Sequence, residues 1–113
     1  MDESILESVK NSLGITSEYR YFDSQIIMHI NSVFTILHQL GVGPDPEFSI
    51  NDESTTWSDF FGNAKPRQLI KSYMYLRVRM LFDPPTNSFL MDSMKQQIQE
   101  YEWRLNVAAD PET

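Results

Sequence analysis

The 113-residue chain contains no cysteine, which removes disulfide frameworks, thiolate metal sites and cysteine nucleophiles from consideration. Positive charge is also in short supply, with 9 lysines and arginines against 16 aspartates and glutamates and a formal net charge of −7. Such a balance argues against a surface that grips nucleic acid by neutralising phosphates and releasing counterions. No run approaches the roughly 18 apolar residues of a membrane span, and the opening MDESILESVK lacks a basic segment followed by an apolar one. The expectation is a soluble, non-secreted protein with no membrane partner. Catalytic signatures are missing as well: there is no GxGxxG, P-loop, HExxH or nucleophile elbow. His29 and His38 would stand roughly 180° apart on one helix, so they cannot share a metal within it. No cofactor, metal or catalytic residue is called for, and the chain reads as a non-enzyme.

What is present is helical periodicity. Ile5, Leu6, Val9 and Leu13 recur at helix spacing within residues 2–13, with Asp2 and Glu3 where a helix N-terminus favours negative charge. Gly14 supplies a left-handed stop, and Ile15 the apolar residue that follows it. A longer stripe follows: Phe22, Ile26, Ile30, Val33, Leu37 and Leu40, ended by Gly41, Gly43 and two prolines. Its other face, with Gln25, Asn31, Ser32 and Thr35, is polar and open to water or another subunit. Residues 41–56 read as an acidic loop in which Phe48 and Ile50 alternate with polar residues like a very short strand. Its Asp45, Glu47, Asp52 and Glu53 do not match EF-hand spacing, so a solvated loop is expected. Trp57, Phe60 and Phe61 then fit a short helix, capped by Ser54 or Thr55 and stopped by Gly62.

Residues 67–82, RQLIKSYMYLRVRMLF, are apolar over most of a helix circumference, with Leu69, Tyr73, Leu76 and Met80 on one face, and such a helix belongs at the centre of a fold or an assembly. Arg67, Lys71, Arg77 and Arg79 are spread around this axis, unlike the aligned charges of a basic recognition helix. Arg77 projects into the apolar side and needs a carboxylate, a carbonyl or a partner chain. The Asp83-Pro84-Pro85 corner must end the helix near Phe82, because proline disfavours helical geometry in the residue before it. Thr86 or Asn87 can cap the next helix. That helix, about 87–107, places Leu90, Met94, Ile98, Tyr101 and Leu105 on one stripe and Phe89, Trp103 and Val107 nearly opposite. A lone domain buries one such face cheaply. The second leaves two readings open: a subunit or partner contact anchored by Trp103, or packing of Trp103 against the domain's own elements.

The segments YFDSQIIMHINSVFTIL, FSI followed by TTWSDFFG, LIKSYMYLRVRMLFDPPTNSFL and IQEYEWRLN together resemble the head-tail connector, or adaptor, proteins of tailed phages. The resemblance spans most of the chain, from about Ile5 to Asn106. It implies packed helices in a ring, usually of twelve subunits, beneath the portal, extending the DNA channel toward the tail. It also implies a C-terminal docking element for the portal: here Trp103, Arg104, Leu105, Asn106 and Val107 with the tail that includes Ala108 and Asp110. Arg77, Arg79, Phe89 and Glu100 are candidates for the subunit interface, and Asp45, Glu47, Asp52 and Glu53 for the lumen, where acid repels passing DNA.

The expectation is therefore an all-α bundle of four to five helices, with a loop or very short strand between the second and third. One domain covers residues 1–107, and 108–113 form a short acidic tail. The partners expected are copies of itself, the portal and a stopper or tail-completion protein, with DNA passing unbound. A small head- or tail-completion protein, or a helical regulatory binder, is the alternative.

Overall fold

The computed structural model describes residues 3–44, 47–62 and 66–109. Among these described residues five helices follow in chain order: α1 (Ile5–Ser12), α2 (Asp23–Gln39), α3 (Trp57–Phe61), α4 (Arg67–Phe82) and α5 (Ser88–Ala109). The fold is all-α, as the periodicity predicts.

Local chemistry sets most of the boundaries. Ser4 caps α1 by accepting from the Glu7 N–H. At the other end the Gly14 N–H reaches the Asn11 carbonyl and the Ile15 N–H the Lys10 carbonyl, a Schellman closure that needs the positive φ of 79° found at Gly14. The same pair of bonds ends α2, from Gly41 to His38 and from Val42 to Leu37, with Gly41 at φ 86°. α3 is capped by Thr56, one residue beyond the expected Ser54 or Thr55. Thr56 and Asp59 form a reciprocal capping box, and only the third of three consecutive hydroxyl residues has the carboxylate three positions on. α4 has the bounds read from sequence.

α4 is the hub, touching α1, α2 and α5. Its fully buried residues are Ile70, Tyr73, Met74 and Val78, while Leu69, Leu76 and Met80 are only partly covered. Of the row Leu69, Tyr73, Leu76 and Met80, Tyr73 alone is fully buried, and the buried face extends from it sideways to Ile70, Met74 and Val78. From α1 come Ile5, Leu6 and Val9, and from α2 Ile26, Ile30, Val33, Phe34 and Leu37. An aromatic cluster of Phe34, Phe48, Trp57 and Phe60 closes one end, with ring centroids 4.7 to 6.2 Å apart. Trp57 donates its indole N–H to Ser8 Oγ at 2.9 Å, so its polar atom is satisfied in the core.

Of the two forms read for the segment around Phe48 and Ile50, loop or very short strand, the loop holds: no strand occurs among the described residues, and the backbone pairing is an isolated bridge between Ser4 and Thr56. The Asn31 side chain explains how the loop does without a strand. Its amide donates to the Ile50 carbonyl at 3.0 Å and its oxygen accepts from the Ile50 N–H at 2.8 Å. One side chain on α2 thus satisfies the backbone groups that a strand partner would have paired, and Ile50 is buried beneath it.

The proline corner works as read: Asp83 N–H still reaches the Arg79 carbonyl, Pro85 is buried, and Asn87 Oδ1 accepts from the Leu90 N–H to start α5. α5 then runs to Ala109, so Ala108 and Ala109 continue the helix into the segment read as an acidic tail.

Candidate docking surface

Helix α5 is held to the domain along one side and left open along the other. Several contacts hold it. Ile98 and Leu105 join the core; Asn106 Nδ2 donates to the Leu40 carbonyl at 3.5 Å, reaching the exposed end of α2; and Ala109 lies against Gly41, where a Cβ would sit 3.3 Å from its own. Leu105, grouped with the docking residues by position, is fully buried. It is a core residue of the subunit and presents nothing to a partner, as expected from its place on the core stripe. Leu90, read as the start of that stripe, is instead 44% exposed, because α4 ends at the corner before it can cover the first turn of α5.

A further attachment is polar. Tyr73 donates its hydroxyl to Glu102 Oε2 at 2.7 Å, and Arg77 donates to both Glu102 and the Tyr73 oxygen. The arginine whose placement demanded a partner finds it within the subunit, so Arg77 is engaged internally and is not a free interface residue. Burial first, and then the neighbouring Glu102, push the Tyr73 hydroxyl up to about 12. Burial pulls the Arg77 guanidinium down, but hydrogen bonds to Tyr73 and Glu102 outweigh it and leave the group above its ordinary value. The sequence signal for this triad was the cation on an apolar face; that Glu102 would answer it depended on how α5 is rotated against α4.

The open side of α5 carries the apolar residues that the helical wheel set apart. Phe89 is 83% exposed and Trp103 68%, and Val107 extends the same ridge. Arg104 and Glu100 pair with each other at 2.7 Å on the surface, an i,i+4 contact of small energetic consequence. Ala108 lines a cleft of about 460 Å³ between the end of α5, α3 and the Gly41–Pro44 bend. Asp110 lies outside the described residues.

The acidic loop is pinned by its own carboxylates. Glu47 accepts from the Thr35 hydroxyl at 2.6 Å and Glu53 from Arg20 at 2.6 Å. Asp52 accepts from the Ser54 hydroxyl and N–H, which hold its carboxyl below its ordinary value. Glu47 thus fastens the loop to α2 and Glu53 to the α1–α2 connection, while Asp52 closes a turn within the loop. Asp45 falls outside the described residues.

Among the described residues no group of three His, Cys, Asp or Glu side chains could hold a metal, and no helix is long and apolar enough to cross a membrane. His29 sits edge-on to Phe82, far in character from a ligand set. What the surface offers is a helix ridge with large exposed apolar anchors, the chemistry of protein–protein contact. The molecule is in this sense a helical domain with an apolar face that its own described residues leave uncovered. Sequence comparison specifies the kind: a family model described as phage connector protein matches residues 5–112, and the chain belongs to that family. Neither curated proteins nor solved structures give a match. Membership makes it a connector-type structural component of the virion, assembling with other head or tail proteins.

Proposed function

We propose that the protein is a head-tail adaptor: its subunits close into a ring beneath the portal, continue the DNA channel, and offer a platform to a stopper or tail-completion protein. The observation that carries this reading is the outward ridge of α5 near its C-terminus, where Trp103 is 68% exposed on a helix anchored by Leu105 and the Tyr73–Arg77–Glu102 triad. A rigid helix with an exposed aromatic anchor binds at low conformational cost, since the anchor is already positioned. Trp103, Arg104, Asn106, Val107 and Ala108 form the portal-docking face, and Asp110, which follows in sequence, is the remaining candidate. The mechanism is geometric and non-enzymatic: many copies of one interface, closed by symmetry, sum to a stable ring.

The net charge of −7 per subunit supports the channel role, because a ring of such subunits repels phosphates and lets DNA slide without adhesion. Glu47, Asp52 and Glu53, held in place by their local contacts, are the lumen candidates together with Asp45. Native mass spectrometry and cryo-electron microscopy of the chain with its portal test the reading. A closed ring, expected to be twelve-fold, seated on the portal supports it. A stable monomer indifferent to portal overturns it.

A further inference from the structure

A ring needs two different surfaces on each subunit, one that inserts and one that receives; building on the ring reading above, the two can be located on this chain. The receiving surface is a groove of about 380 Å³ between α4 and α5, floored by Leu76 and Met94 and bordered by Arg79, Leu90 and Tyr101. Leu90 is 44% exposed beside it, so the groove has an apolar rim that nothing among the described residues covers. Arg79 is exposed and makes no ion pair among the described residues.

The inserting surface lies on the first turns of α5, away from that groove. Phe89, at 83% exposed, is the most exposed of the large apolar side chains among the described residues. Asp92, one turn later, is also exposed and has no ion-pair partner among the described residues. Phe89 and Asp92 are three positions apart on a helix, and so are Leu76 and Arg79. Both pairs therefore span a rise of about 4.5 Å, so with the incoming α5 running parallel to α4 an aromatic ring entering over Leu76 brings the carboxylate to the level of the guanidinium. Each surface holds what the other lacks: an apolar anchor beside an unpaired acid, and an apolar floor beside an unpaired cation.

We infer that the partner of the α4–α5 groove is a second copy of this chain, whose Phe89 seats over Leu76 and whose Asp92 pairs with Arg79. Phe89 and Leu90 are adjacent in sequence yet about 100° apart around α5, so each α5 inserts on one side and receives on the other. The contact is head-to-tail and propagates from subunit to subunit, and it leaves Trp103 and the end of α5 free for a different protein.

The test uses the full chain in its assembled form, with and without portal. Arg79→Asp and Asp92→Arg should each raise the concentration needed for assembly by at least about tenfold, and the double variant should return it to within about twofold, as a direct pair requires. Because the chain has no cysteine, Leu76→Cys and Phe89→Cys proteins can be mixed and oxidised, and a disulfide between the two proteins joins two subunits by construction. Cross-linked pairs together with charge-swap rescue support the inference. Rings that form normally from both single charge variants, or that give no cross-link between the Leu76→Cys and Phe89→Cys proteins, overturn it while leaving the ring reading intact. A chain that stays monomeric with portal present overturns both.

Discussion

Trp103 and Leu105 sit two residues apart on α5 and face opposite environments, so their truncations should separate assembly from folding. Trp103 is 68% exposed. With about 200 Å² for a tryptophan side chain, about 65 Å² touches its own subunit and about 135 Å² stays in water. At about 25 cal/mol per Å², Trp103→Ala costs the fold about 1.6 kcal/mol, and alanine's better helix propensity returns about 0.5 of that, for a net loss of ~1 kcal/mol. Burying the exposed part against the portal would contribute about 3 kcal/mol per contact, so the variant should bind portal over ~100-fold more weakly. Leu105→Ala behaves in the opposite way: the side chain is fully buried, and its loss should destabilise the subunit by about 2–5 kcal/mol. Urea unfolding of the isolated subunit gives the first quantity, and titration against portal gives the second. A loss of more than about 3 kcal/mol of subunit stability in Trp103→Ala would instead put the indole in the core, and an unchanged portal affinity would remove Trp103 from the docking face.

Three further outcomes follow from contacts within the subunit. Glu102→Ala strands the Arg77 guanidinium and the Tyr73 hydroxyl and should cost about 2 kcal/mol in denaturant unfolding; and because the Tyr73 hydroxyl is raised to about 12 in the fold against an ordinary value of about 10, its contribution to stability should be constant below about pH 10 and fall between about 10 and 12 as the unfolded chain ionises first, a decline that Tyr73→Phe removes. Gly43→Ala forces a φ of 102° on a residue with a side chain and brings its Cβ to 2.6 Å from Phe60 Cε1, so thermal unfolding should drop by several degrees; an unchanged midpoint would show that the bend relaxes freely.

Where the chain turns was legible from residues alone, since the signals are short-ranged. Gly14 and Gly41 close α1 and α2 because a left-handed residue completes hydrogen bonds with carbonyls only a few positions back. The Pro84-Pro85 pair ends α4 at Phe82 through a clash with the immediately preceding residue. The two-faced character of α5 was legible for the same reason, being a matter of angles about one axis. Illegible were the features that need a second element in place: Asn31 serving as the loop's backbone partner, Val78 replacing Leu76 in the buried row of α4, and Leu90 falling outside the core.

By itself, then, the sequence determined a helical chain, its breaks, an acidic surface and a last helix with one apolar face too many. Only the tertiary structure decided which neighbours those faces meet: that Glu102 answers Arg77, that Trp103 stays in solvent instead of packing on its own subunit, and that α4 and α5 leave a groove between them. The division has one physical cause. Capping, proline sterics and periodicity act within a turn or two of the backbone, whereas burial and ion pairing depend on the rotation of one helix against another, which many weak contacts settle together.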